Sequence, residues 1–128
     1  MAHLALGHAL RGLLDEDVLV IGSGFSFHNM RAFQRRGQPA VDAANDAFQD
    51  WLIETCTGPL DEVERERRLA AWAQAPGARY CHPREEHLLP LHICAGLGRQ
   101  AGGGGVRLLH SGETGDWAAV VSGAAMAT

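Results

Sequence analysis

The chain has 128 residues, of which 46% are hydrophobic and 20% charged, with a formal net charge of −4 at pH 7. This length allows one domain, residues 1–128, with its own hydrophobic core. The acidic balance argues against a nucleic-acid-binding face, and no apolar run is long enough to span a bilayer. We therefore expect a soluble cytoplasmic protein that binds neither nucleic acid nor membrane.

The three cysteines, Cys56, Cys81 and Cys94, are widely spaced and include no C-x-x-C pair. Their number and spacing argue against a disulfide framework and against a structural zinc site, and fit a reducing cytosol. The N-terminus shows no basic segment followed by a continuous apolar core, so we expect no signal peptide.

The first predicted elements are a helix over residues 2–14 and a short buried strand over residues 18–21. The chain begins within the helical pattern, as is ordinary for a piece of a longer protein. The segment that follows the strand, Gly22–Asn29, contains His28. Ligands of open α/β sheets bind outside the carboxyl ends of strands, so His28 is placed where catalytic histidines often lie. A loop or capping role for His28 is equally consistent with the residues alone.

The Gly22-Ser23-Gly24 sequence after this strand matches neither of two common glycine motifs. It lacks the third glycine of a dinucleotide-binding fingerprint. It also lacks the G-x-S-x-G pattern of a nucleophile elbow.

Two amphipathic helices are predicted next, over residues 41–56 and 60–74, separated by Gly58-Pro59. The apolar stripe of the first is typical of core packing; its members are Val41, Ala44, Phe48, Trp51, Leu52 and Thr55. In the second helix we expect a solvated Glu/Arg face and an inward face formed by Val63, Leu69, Ala70 and Trp72.

The stretch Tyr80–His92 holds three of the seven histidines and is predicted to form a helix from Pro83 to about residue 95. Pro83 suits a first helical turn, where a missing N–H has no consequence. Pro90 would then lie inside the helix and kink it close to His87. Farther on, we expect a glycine-rich loop at 101–105 and two strands, at 106–110 and 117–122, joined by a turn.

The histidine spacing in Tyr80–His92 does not form a complete metal site. His82 and His87 match neither H-E-x-x-H nor H-x-x-E-H, and His87 and His92 do not share a helical face. The stretch can supply one ligand, for which His87 is the best candidate. The alternative for His87 is a purely structural role.

Two stretches together resemble a known enzyme family. Residues 18–29 end in G-S-G-F-S-F-H-N, and residues 82–92 read H-P-R-E-E-H-L-L-P-L-H. They are similar to the class III extradiol ring-cleavage dioxygenases, in particular the LigB-like branch that includes the DOPA dioxygenases. In that family a strand ends in G-S-G before H-N, and an E/D-H-x-x-P-L motif follows some sixty residues later.

The resemblance implies ring opening of a catechol-like substrate by O₂ and non-haem Fe(II), or a zinc site in place of iron. It implies that His28 is the acid/base histidine and that His87 is one metal ligand. Ser26, Asn29 and His82 are candidate pocket residues, with a capping role as the alternative for His82. We expect His92 to pack within its helix rather than bind metal.

The resemblance also implies that this chain corresponds to the C-terminal half of the family's fold. We therefore expect an α/β fold with a partial mixed sheet flanked by helices. The family's first two ligating histidines have no counterpart here, because His3 and His8 lie on what resembles a mid-chain helix. A site would then need a homo-oligomer or a subunit supplying the N-terminal half. The alternatives are a non-catalytic oligomeric interaction or metal-binding protein derived from the same scaffold, and a stable oligomer without metal.

Overall fold

The structure is a computed structural model that describes residues 2–16, 18–22, 26, 28–29, 31, 39–98, 106–110 and 117–122. Its α-helices are α1 (Ala2–Ala9), α2 (Pro39–Thr57), α3 (Glu62–Ala70), α4 (Ala78–Cys81) and α5 (Leu89–Leu97). Its strands are β1 (Leu19–Gly22), β2 (Val106–His110) and β3 (Trp117–Ser122). Two 3₁₀ helices, Arg11–Glu16 and Trp72–Gln74, continue α1 and α3. No described helix is both long and apolar enough to cross a membrane.

The three strands are ordered β1-β3-β2. Leu19 pairs with Ser122, and Val106 pairs with Val121, both in antiparallel register. The described residues are mostly helical, so the expected α/β class holds only loosely. The described strand pairs are all antiparallel, so the mixed sheet that we expected is not seen. The predicted loop at 101–105 and the turn at 111–116 lie outside the described residues.

The main hydrophobic core is built on α2. Phe48 and Leu52 lie one helical turn apart, are 0% and 1% exposed, and pack with Trp72 and Leu88. This spacing places apolar side chains on one stripe of the helix. The predicted inward face of α2 is therefore confirmed at the positions whose side chains are described.

Helix α1 and strand β1 lie very close to α5, and glycines occupy the points of contact. A Cβ on Gly7 of α1 would collide with the Ile93 carbonyl oxygen, and a Cβ on Gly96 of α5 would collide with the Leu4 carbonyl oxygen. A Cβ on Gly22, at the end of β1, would lie 3.0 Å from the Pro90 carbonyl oxygen. Only residues without a side chain allow these backbones to lie so near one another.

The prediction for α3 was wrong at three positions. Val63 is 79% exposed and Ala70 is also exposed, whereas Arg65, assigned to the solvated face, is 7% exposed. Leu69 and Trp72 are buried as expected. Helix α3 is rotated about its axis relative to this prediction. Its first turn meets the end of α2, where carbonyl groups need a hydrogen-bond donor.

The Arg65 side chain closes the break between α2 and α3. Its guanidinium donates to the carbonyl oxygens of Thr55 at 2.9 Å, Gly58 at 3.0 Å and Leu60 at 2.9 Å. Carbonyl groups at the end of a helix have no partner within the helix. Gly58-Pro59 ends α2 as predicted, and Arg65 supplies donors to the carbonyl groups around that break.

The helix predicted over 83–95 begins later than expected. Pro83 lies in a turn, and α5 begins at Leu89 with Pro90 in its first turn. A proline without an N–H fits that position, so the predicted kink at Pro90 was wrong. His82, which precedes Pro83, has φ −130° and ψ 83°, outside the helical region that a following proline disfavours, and it ends α4.

We expect Gly96→Ala to destabilise the protein by about 1–3 kcal/mol, because the added methyl group overpacks the contact between α1 and α5. The higher helix propensity of alanine would alone give a gain of about 1 kcal/mol. Gly12→Ala is the matched control, since a Cβ there would have no atom within 4 Å. The measurement is the free energy of unfolding in urea. Equal values for the two variants would contradict the close approach.

We expect Arg65→Met to destabilise the protein by about 2–4 kcal/mol, because it removes the charged donor from three carbonyl groups. Arg67→Met is the control: Arg67 is 66% exposed, pairs with Glu64 at 2.7 Å, and should change stability little. Urea unfolding of both variants provides the comparison. If Arg65→Met lowered the free energy of unfolding no more than Arg67→Met, the buried guanidinium would not be needed for stability.

Candidate functional site

The segment that carries His28 is held in place by two helices. The His28 N–H donates to the Cys81 carbonyl oxygen at 2.8 Å, and the Asn29 side-chain amide donates to the Tyr80 carbonyl oxygen at 2.7 Å. From α2, the side-chain amide of Gln49 donates to the Ser26 carbonyl oxygen at 3.1 Å. The segment is therefore fixed against α4 on one side and α2 on the other.

Two predicted pocket residues have structural roles in this arrangement. Asn29 uses its side-chain amide to hold the end of α4, and Ser26 is 3% exposed. Sequence analysis missed Gln49, whose side-chain amide also donates to the Asn45 carboxamide oxygen at 2.9 Å. Gln49 belongs to no motif, and its position on a buried helix face was its only signal.

His28 and His87 are in direct contact although they are far apart in the sequence. Their ring centroids lie 3.6 Å apart with an interplanar angle of 20°, so the two imidazoles are stacked. Both side chains are partly exposed. His87 lies in the turn before α5 rather than on a helix as expected. Because the two rings stack face to face, their nitrogens lie at the ring edges, where they can bind a ligand.

His82 lies next to this pair and is fully buried. Its ring sits edge-on to Phe48 and Trp72, at centroid distances of 5.6 Å and 6.2 Å. Within the described part of the chain, neither ring nitrogen meets the geometry of a hydrogen bond. We name His28, His82 and His87 the histidine cluster.

Burial lowers the pKa of His82 from 6.5 to about 4. The backbone of Ser26 lies close enough to raise this pKa slightly, and the nearby rings of His28 and His87 lower it. His82 is therefore neutral at pH 7. It was predicted to line a pocket or cap a helix; it is the C-terminal cap residue of α4, where its N–H donates to the Ala78 carbonyl oxygen, and its ring is buried in the core.

His92 packs in the core, as the sequence predicted. It is 0% exposed, and its Nε2 lies 2.8 Å from the carbonyl oxygen of Leu69, to which it must donate. Burial lowers the pKa of His92 as well. His92 therefore joins α5 to α3, and its donor nitrogen is occupied by that contact.

We expect acid to destabilise the fold through His82. The folded-state pKa of about 4 lies below the unfolded value of 6.5, so the unfolded chain binds more protons between these values. The stabilisation is present above pH 6.5 and is lost as pH falls towards 4, by about 3 kcal/mol at most. The measurement is urea unfolding at several pH values for wild type and His82→Phe, which preserves the aromatic packing.

His92 and the carboxylates titrate in both proteins, so the difference between the two pH profiles isolates His82. The wild-type profile should fall more steeply between pH 6.5 and pH 4. Parallel profiles would rule out a neutral, buried His82.

Comparison with known proteins finds relatives among named dioxygenases. The chain is 35% identical over 106 residues to "Dioxygenase tasH" of Hapsidospora irregularis, a match that covers 77% of this chain. It is 36% identical over 95 residues to "4,5-DOPA dioxygenase extradiol" of Beta vulgaris, which covers 73% of this chain. The protein of that name from Mirabilis jalapa is 33% identical over 95 residues, also 73% of this chain.

The matched segment covers 33% of each of these three relatives, so the chain spans about a third of their length. No family model matches the chain, and no solved structure matches it. The names of these relatives agree with the family that the two histidine motifs resemble. Over about three quarters of its residues, the chain is similar to one part of the LigB-like extradiol dioxygenases, the group that includes the relatives named DOPA dioxygenases.

Proposed function

We propose that the chain is one part of an extradiol ring-opening dioxygenase that cleaves a catechol-type substrate with O₂ and Fe(II). A partner would supply the rest of the site, either a second copy of the chain or a subunit equivalent to the family's N-terminal half. The observation that carries this proposal is the stacked contact of His28 and His87, at 3.6 Å between ring centroids. These are the histidines of the two motifs that resemble the family.

His87 is the residue that would hold the metal. Its ring is partly exposed, and imidazole nitrogen suits both Fe(II) and Zn(II), the alternative metal. His82 is enclosed by the core and His92 already donates to Leu69, so neither is available as a second ligand. One imidazole is too few for a stable site, which is why the proposal includes a partner.

His28 would move the proton of the substrate. A neutral imidazole can accept a proton from a catechol hydroxyl and return it during ring opening. The metal, when bound, would supply adjacent positions for the catecholate and O₂. The His28 backbone N–H donates to the Cys81 carbonyl oxygen, which fixes the main chain that carries this ring.

Strand β1 supports the need for a partner. Among the described strands it pairs only with β3, and Ile21 in it is 61% exposed. Unpaired strand edges with apolar side chains tend to be covered by another chain or segment. The same feature would serve the second candidate function, a non-catalytic interaction or metal-binding protein built on this scaffold.

We expect His87→Ala to abolish Fe(II) binding in the assembled protein, whereas His28→Ala should keep the metal and lose activity by about 100-fold or more. The wild-type chain, these variants and His3→Ala would be loaded anaerobically with Fe(II), alone and with the N-terminal part of a relative. His3 lies on α1 outside the histidine cluster and serves as the control. Metal content per chain and O₂ uptake with a catechol are the two measurements.

The enzyme would be established if the assembled wild type binds metal and takes up O₂. His87→Ala should then lack the metal, and His28→Ala should keep the metal and lose activity. Metal that binds through His87 without O₂ uptake in any assembly would favour the non-catalytic function. Metal content that is unchanged in His87→Ala would overturn the assignment of His87 as a ligand.

A further inference from the structure

A second group of metal-binding side chains lies between α1 and α3. It consists of His8 on α1 and Glu62 and Glu66 on α3, and one ligand atom from each lies within 4.8 Å of the others. The two glutamates are four residues apart, so they share one face of α3. The group has no residue in common with the histidine cluster, and the sequence motifs do not include it.

His8 and Glu66 are already in contact across the two helices. Nε2 of His8 directly faces a carboxylate oxygen of Glu66. In its Nε2–H tautomer, or as an imidazolium, His8 donates a hydrogen bond to this carboxylate. A divalent metal ion could replace that proton, and it would also use the carboxylate of Glu62.

We propose that His8, Glu62 and Glu66 form a Zn²⁺-binding site that joins α1 to α3. One imidazole nitrogen and two carboxylate oxygens, with water as a fourth ligand, are a donor set that zinc accepts. Zinc bonds of about 2.0–2.2 Å place the donor atoms of a tetrahedral site about 3.4 Å apart. The side chains of His8 and Glu66 are 41% and 24% exposed, which leaves room for the inward movement that this requires.

Arg11 is the group that competes with the metal. One of its terminal nitrogens contacts the Glu62 carboxylate, while its Nε donates to the Gly96 carbonyl oxygen at 2.9 Å. Metal binding would displace the guanidinium from Glu62 but leave the bond to Gly96 in place. The arginine therefore weakens the site without being needed to build it.

Zinc at this position would strengthen the direct contact between two helices that are also joined through α5. Helix α1 crosses α5 at Gly7 and Gly96, and α3 is joined to α5 by the hydrogen bond from His92 to Leu69. A metal bound by both α1 and α3 stabilises only the folded state, because the unfolded chain does not assemble the three ligands. Zinc should therefore raise the melting temperature in a concentration-dependent way.

The test is Zn²⁺ titration of the full chain by calorimetry, followed by thermal unfolding with and without zinc. His8→Ala and Glu66→Gln should each weaken zinc binding by about 100-fold or more, since even the loss of an outer partner costs 10–100-fold in metal affinity. Arg11→Gln should bind zinc more tightly than wild type. Glu64→Gln is the matched control on α3: Glu64 pairs with Arg67 and Arg68 and should leave zinc affinity unchanged.

His87→Ala separates this site from the histidine cluster and should retain the zinc bound by His8. The more conservative His8→Gln, with circular dichroism confirming that it is folded, should also lose the zinc-dependent gain in melting temperature. Zinc affinity that is the same in wild type, His8→Ala and Glu66→Gln would overturn the proposal. Binding that disappears in His87→Ala but persists in His8→Ala would overturn it as well.

Discussion

The structure depends on the close approach of backbones around α5. Gly7 and Gly96 let α1 lie directly on this helix, and Gly22 lets the end of β1 reach its first turn. A side chain at any of these positions would separate the elements. Because the segment that carries His28 follows β1, the location of the candidate site is set by these contacts.

A hydrogen bond between main-chain groups then helps to bring the two motif histidines together. The Cys81 carbonyl oxygen accepts from the His28 N–H at 2.8 Å, and Cys81 is the last residue of α4. Gly77 precedes that short helix, and its φ of 71° is one that residues with a side chain rarely adopt. His87 follows α4 in the next turn, so the same element fixes both rings.

Sequence patterns predicted the parts of this fold that depend on local periodicity. The buried stripe of Phe48 and Leu52 follows from helical spacing alone, and the break at Gly58 follows from the Gly58-Pro59 pair. Arg65 could not be predicted, because its partners are carbonyl groups of a different helix, created by that break. The start of α5 was misplaced because a proline can lie in the first turn of a helix or kink the interior of one. Hydrophobic periodicity does not decide between these two positions. The resemblance of their motifs assigned His28 and His87 to one site, but their direct contact was not predicted.

The burial of His82 also favours a cation beside the stacked pair. A buried imidazole with a pKa of about 4 carries no charge at neutral pH, so it would not repel the metal ion that we propose for His87. An ordinary, solvated histidine at this position would be partly protonated near pH 6.5 and would oppose that ion. Phe48 and Trp72 surround the ring and exclude water from it. The aromatic core therefore contributes to the electrostatics of the candidate site as well as to the stability of the fold.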